Sequence, residues 1–180
     1  MQMIIKKVFL AIIIFSSLVY GQNSVSIGSK LGGGFIKGNS TNQGSYFISF
    51  FIDVPTPFSY KIIPRFSFIY AQDFNKLLPN NSNEYYSFVK GFSLEAVINQ
   101  QLKKEFYLEE SAGLLALNDR IFSNISTWDY GVTFSLLAGL DLRNETLYGL
   151  RVGLGVENGF TFSNTLAKYF VIYFQLQFFL

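Results

Sequence analysis

The sequence predicts an all-β fold, an eight-stranded antiparallel up-and-down barrel, and three observations carry that prediction. Large apolar residues recur at every second position in eight separate stretches, the period of a strand with two unlike faces. Aromatic residues make up 18% of the chain and charged residues only 14%, against about 25% charged in a typical soluble domain. The last stretch, Lys168 to Leu180 (KYFVIYFQLQFFL), keeps an unbroken apolar face at Phe170, Ile172, Phe174, Leu176, Phe178 and Leu180. An open apolar edge invites pairing with other chains, whereas closure into a barrel removes the edge.

The first expected strand, Ser24 to Phe35, sets Val25, Ile27, Leu31 and Phe35 against a face of Ser, Gly and Lys30. The second, Ser45 to Val54, alternates Tyr46, Ile48, Phe50, Ile52 and Val54, and ends at Pro55 and Pro57, which cannot continue a ladder. The third, Phe58 to Ala71, alternates Phe58, Tyr60, Ile62, Phe66, Phe68 and Tyr70 against Ser59, Lys61, Arg65 and Ser67. Pro64 inside it removes a ladder donor and marks a bulge or a strand edge. The fourth, Tyr85 to Asn99, shows Tyr86, Phe88, Phe92, Leu94, Ala96 and Ile98, interrupted by Lys90.

In the fifth, Glu105 to Leu117, Phe106, Leu108, Ala112 and Leu114 align while Glu110 falls on their face. A bulge near Glu109 and Glu110 would repair that register. The sixth, Trp128 to Leu142, alternates Trp128, Tyr130, Val132, Phe134, Leu136, Ala138, Leu140 and Leu142 without a break. The seventh, Thr146 to Glu157, sets Tyr148, Leu150, Val152, Leu154 and Val156 against Gly149, Arg151, Gly153, Gly155 and Glu157. Gly32 to Gly34 follows no phosphate-binding pattern and reads as strand glycine at a possible bulge. Connections are expected to alternate, long after the odd strands and short after the even ones, as when turns gather at one end of a barrel and loops at the other.

Volume decides which face is outside. The bulky face carries more side chain than an eight-stranded bore can hold, while the Gly- and Ser-rich face suits a narrow filled lumen. The apolar face is therefore expected to meet lipid, and aromatics near the strand ends (Tyr46, Tyr70, Tyr86, Trp128, Tyr130, Tyr148, Phe170, Phe178) to form interfacial girdles. The inverse arrangement, a soluble lipocalin-like carrier with its apolar face inward, is the competing reading.

Residues 1–21 read as a cleaved signal peptide, with Lys6 and Lys7 before an apolar run from Val8 to Phe15 and Gly21 at the junction, leaving 22–180 as one barrel domain. The run is shorter than a membrane-spanning helix needs. Without Lys6 and Lys7 the basic and acidic residues balance, so no nucleic-acid partner is indicated. No cysteine is present, which excludes disulfides and thiolate metal sites.

The expected inward charges are Lys30, Asp53, Lys61, Arg65, Glu95, Glu109, Asp129, Asp141, Arg151 and Glu157. Lys30, Lys61, Arg65, Glu95, Glu109 and Arg151 are read as a structural lumen network, because buried charges require partners. Hairpin counting sets Glu95 beside Lys61 on one side and Glu109 on the other, with Lys61 or Arg65 as shared counter-ions. The functional alternative is a narrow porin-like path for ions or small solutes.

The junction LVYGQ, the segment FSYKIIPRFSFIYAQDF (residues 58–74), the segment FSLEAVINQQLKKEFYLEESAGL (92–114) and the aromatic last strand resemble the small porin-like outer-membrane β-barrel domain family of exported bacterial proteins. Two features depart from it: the fourth strand lacks a second proline, and the chain ends on Leu180 after Phe178 and Phe179. The resemblance implies the outer membrane as location and lipid as neighbour. It also implies that the last strand, through Phe170, Ile172, Phe174, Leu176, Phe178 and Leu180, is the signal for barrel-assembly machinery. It implies no single activity.

Barrel enzymes rely on a histidine as base or relay, and this chain has none. Carboxylate-only chemistry at Glu95 and Glu109 is outweighed by structural ion pairing, and the acidic residues are too scattered for a metal. The expectation is a monomeric, non-enzymatic surface or structural barrel without cofactors. Loop apolars Leu77, Leu78, Ile121 and Phe122 are candidate contact residues, with the external ligand unspecified. Deleting Phe174 to Leu180 is expected to abolish outer-membrane assembly, read by fractionation and by loss of the heat-modifiable folded band; normal insertion of the truncated chain would overturn the closing-strand reading.

Overall fold

In a computed structural model, which describes residues 24–38, 41–56, 62–78, 85–122, 126–143, 148–162 and 165–180, eight antiparallel strands close into one barrel. They are β1 (Ser26–Lys37), β2 (Gln43–Asp53), β3 (Ile62–Asp73), β4 (Phe88–Gln101), β5 (Phe106–Arg120), β6 (Thr127–Asp141), β7 (Gly149–Thr161) and β8 (Lys168–Phe179), with a one-turn 3-10 helix at Phe74–Leu77. Each strand pairs with its neighbours in sequence, and β8 pairs with both β7 (Leu154 opposite Phe174) and β1 (Gly32 opposite Tyr173). The backbone of Leu180 extends the closing seam by donating to the Val25 carbonyl at 2.9 Å. No sheet edge is left open along these ladders. The proposed leader at 1–21 and the start of the third predicted strand, Phe58 to Lys61, lie outside the described residues.

The apolar face is outside. Leu114 is 68% exposed, Leu154 65% and Phe174 45%, while the alternate positions turn into the bore and are buried. This is the opposite of a soluble barrel and excludes the lipocalin-like arrangement. An outer wall of Leu, Ile and Phe is stable only against hydrocarbon, and a closed barrel leaves no backbone group unpaired there. Tyr46, Tyr70, Phe88, Trp128, Phe160 and Phe162 crowd the outer wall at the end away from Leu180, with Tyr46 and Tyr70 both donating hydroxyls to Gln72.

Three local expectations are corrected. First, no bulge interrupts β5: its register with β6 runs unbroken from Phe106 opposite Leu140 to Asp119 opposite Thr127. Glu109 turns inward and Glu110 outward, between Ile98 and Leu136. Continuous pairing on both sides outweighs the cost of one outward carboxylate, which is smaller than that of an outward Lys or Arg. Gly32 to Gly34 likewise pair in register without a bulge.

Second, Pro64 needs no bulge, because it lies opposite Ala96 where β3 is leaving β2, and its carbonyl still accepts from the Val54 amide at 3.0 Å. Third, the alternation of connection lengths is blunted. The strands reach further toward the end away from Leu180 than their side-chain patterns suggest, so β1 runs on to Lys37 and β2 begins at Gln43, and the connection between them shortens. Backbone ladders continue through polar residues such as Asn118 and Asn158, because pairing does not require an apolar side chain. The longest connection, 74–87, remains at the end away from Leu180.

Leu154→Arg on the outer wall is expected to destabilise the barrel in lipid vesicles by about 2–4 kcal/mol, measured by urea unfolding. An unchanged midpoint would contradict the lipid-facing assignment.

Candidate functional site

The bore holds the expected charges. Lys30, Asp53, Arg65, Glu95, Glu109, Asp129, Arg151 and Glu157 are all buried, and Asp141 is half-buried at the lower mouth, the end nearer Leu180. Lys61 lies outside the described residues.

Arg65 is the hub. Its Nε and Nη2 donate to the two carboxylate oxygens of Asp53 at 2.7 and 2.9 Å, and its Nη1 and Nη2 to Glu109 at 2.6 and 3.2 Å. One guanidinium thus grips two carboxylates bidentately, a geometry a lysine could not reproduce. The group also stacks 4.0 Å over the Phe51 ring. Gln177 donates to Asp53 and to Ser26 at 2.8 Å each, and Gln175 donates to Glu109 at 3.3 Å.

Lys30 forms a separate pair, 2.6 Å from Glu157, and its ammonium sits 5.0 Å from the Tyr173 ring centroid. Glu157 also accepts from the Tyr169 hydroxyl at 2.7 Å. At the lower mouth Asp141 accepts from Arg143 and Arg151, and both guanidinium groups stack on Phe179.

The expected partners of Glu95 are corrected. In register Glu95 faces Arg65 on β3 and Gly113 on β5, while Glu109 faces Asn99, so the two glutamates are not ladder partners. Arg65 binds Asp53, its register partner on β2, and reaches past Glu95 to Glu109 on β5. Glu95 instead accepts hydroxyl hydrogen bonds from Ser67 (3.2 Å), Ser93 (2.5 Å) and Ser111 (2.6 Å). Its serine neighbours were readable as small inward residues, but nothing in the spacing marked them as its donors.

The bore is also less polar than expected. Above the charges, Ile36, Phe47, Ile69, Val89, Leu115, Leu117, Ile121 and Val171 form a buried apolar layer, with Phe47 stacked on Tyr169 at 5.9 Å. Glycines make room for the inward rings: a Cβ at Gly159 would fall 2.3 Å from the Tyr169 ring, and one at Gly28 would fall 2.3 Å from Phe51. These inward apolar residues follow from strict alternation at Phe47, Ile69 and Leu117, a signal overshadowed by the stronger apolar pattern of the outer face. Chemically the arrangement gives each described inward cation a carboxylate, holds Glu95 by hydroxyl donors, and packs the remaining space. Among the described residues no group of His, Cys, Asp and Glu is placed to hold a metal.

A closed eight-stranded barrel, apolar outside and filled with paired charges inside, defines a class: the chain has the fold of the small outer-membrane β-barrels. Among solved structures it is similar to Neisserial surface protein A (TM-score 0.70, 3% identity, 87% of this chain and 97% of that one). It is also similar to Ail, the attachment invasion locus protein of Yersinia pestis (TM-score 0.51, 11% identity, 87% and 98%). Ail has further been solved with the heparin analogue sucrose octasulfate (TM-score 0.52, 10% identity, 87% and 98%). No family model matches the chain, and no curated protein matches it in sequence.

Arg65→Met is expected to lower unfolding stability by about 3–5 kcal/mol, because Asp53 and Glu109 are left buried without a cation. Adding Asp53→Asn and Glu109→Gln should recover most of that loss in the same urea titration. Equal stability of the single variant and the wild type would remove Arg65 as the hub.

Proposed function

We propose that the chain is a monomeric, non-enzymatic outer-membrane barrel that acts through its outer rim, with a bore closed by its own side chains. The observation that carries this reading is the filled lumen: the Arg65 cluster below and the Phe47, Leu117 and Tyr169 layer above occupy the space that a pore would need. An eight-stranded barrel has a bore only wide enough for side chains, and this one uses it.

On this reading residues 1–21 direct export. The outward face of β8 (Phe170, Ile172, Phe174, Leu176, Phe178 and Leu180) is what barrel-assembly machinery engages before β8 seals against β1. With the bore closed, contact falls to the upper end, taken as external because the longest connection, 74–87, lies there; Leu77, Leu78 and Phe122 are exposed at that end, while Ile121, expected among them, is buried at the top of the lumen. An outward contact role is in keeping with the attachment for which Ail, a barrel of similar fold, is named.

In planar bilayers the folded protein is expected to give no current steps above the bare membrane at neutral pH. Reproducible unitary steps from wild-type barrel would favour the narrow-channel alternative.

A further inference from the structure

The charged residues near the upper end are sorted by face. Lys37, Lys90, Lys168 and Arg120 point outward, and Lys76 is exposed on the turn that follows β3. Of the acids described in the same region, Asp119 is buried and accepts from the Ile121 amide at 2.8 Å, Asp129 is buried and bound by Thr165, and Asp73 is half-buried and accepts from the Asn75 amide at 2.9 Å. Among the described residues none of these five cations forms a salt bridge.

Two of them face each other. Lys37, the last residue of β1, is the register partner of Lys168, the first residue of β8. Directly opposite residues on one face of an antiparallel pair have Cβ atoms roughly 4.5–5.5 Å apart, and like charges there repel. Immediately below them Phe35 and Phe170, the next outward register pair, stack at 5.5 Å, and Phe160 lies opposite Lys168 on the β7 side. The ammonium groups thus stand just above an aromatic girdle, the depth at which lipid headgroups begin. Further round the wall Arg120 stacks 5.7 Å over Phe88, and its Nε has no hydrogen-bond partner.

We propose that the outer wall at Lys37 and Lys168 binds a phosphate group of the outer-leaflet lipid, with Lys90, Arg120 and Lys76 extending the phosphate-binding belt around the barrel. A doubly charged phosphate seated between two lysines converts their mutual repulsion into attraction to a shared anion. The lipid's acyl chains then run down over Phe35, Phe170 and Leu31, so one molecule satisfies both the cations and the apolar wall beneath them. At the lower rim Arg143 and Arg151 are neutralised by Asp141, and the exposed Lys103 and Lys104 sit on the β4–β5 turn next to Glu105, not at facing wall positions above a ring pair.

The test uses folded full-length barrel in neutral detergent micelles, titrated with bisphosphorylated lipid A and, separately, with the same lipid stripped of both phosphates. Wild type is expected to bind the phosphorylated lipid more tightly and to gain several degrees in Tm. K37Q/K168Q should bind it about thirty-fold more weakly, at roughly fivefold per lysine near a charged lipid surface. K103Q/K104Q, at the opposite rim, should match wild type, and K37R/K168R should retain binding.

Heat-modifiable gel mobility reports separately that each variant is a closed barrel, so failure of the lipid site is distinct from failure of the fold. Should the double glutamine variant not fold, each single variant is expected to show its own fivefold loss. Equal binding of the two lipids, unchanged binding by K37Q/K168Q, or binding of a soluble heparin fragment in place of the phosphorylated lipid would overturn the proposal.

Discussion

Pairing of β8 with β1 is the contact on which the rest of this structure depends. Until Tyr173 lies opposite Gly32 and Phe178 opposite Ile27, the sheet has two raw edges and its bulky face has no defined outside. Closure satisfies the last backbone groups, which in hydrocarbon would each cost several kcal/mol. It also fixes the bore. With eight strands the interior is so narrow that each inward side chain must find its partner among the other inward side chains, because little solvent can share the space.

That geometry explains why polar groups pair across the bore as well as along the ladders, where Arg65 meets Asp53 and Arg151 meets Asp141. Lys30 on β1 meets Glu157 on β7, skipping β8 between them. Arg65 on β3 meets Glu109 on β5, skipping β4, and Gln175 on β8 reaches the same Glu109 from the far wall. Buried ion pairs contribute modestly to net stability because desolvation offsets most of their attraction, yet breaking one is costly. Cross-bore pairs therefore act chiefly as a check on register. A slip of one residue in any strand would turn Arg65, Lys30 or Glu109 into lipid and Phe66, Leu31 or Leu108 into the bore.

The same distinction separates what was legible in the sequence from what was not. Period-two alternation is a property of a single strand, so the eight strands, their outward faces and the inward placement of Lys30, Arg65, Glu95, Glu109 and Arg151 were all readable. Who pairs with whom is a property of the closed barrel. Counting along hairpins put Glu95 beside Glu109, but the ladder sets them against Gly113 and Asn99, and the side chain of Arg65 binds its β2 register partner Asp53 while bypassing its β4 partner Glu95 for Glu109 on β5. Glu110 looked like a register fault because a carboxylate on an apolar face is locally unfavourable. Its two neighbouring strands hold it there regardless, since breaking both ladders would cost more than one exposed acid at the wall.

A barrel that spends its interior on packing leaves chemistry only at its surfaces. The inward acids at the upper end are capped by their own loops, Asp129 by Thr165 and Asp119 by the amide of Ile121. Their charge is thereby withdrawn from the outside, and among the described residues the outward charges of that end are Lys37, Lys76, Lys90, Arg120 and Lys168, with Asp73 half-buried at the turn after β3. The fold itself specifies no activity. What it does specify is a rigid cylinder that holds cations at a fixed height above an aromatic girdle, with two of them forced together by the β1–β8 register. The strand pairing that closes the barrel is thus also what juxtaposes Lys37 and Lys168, so an outer-wall anion site here is a consequence of closure and needs no loop to build it.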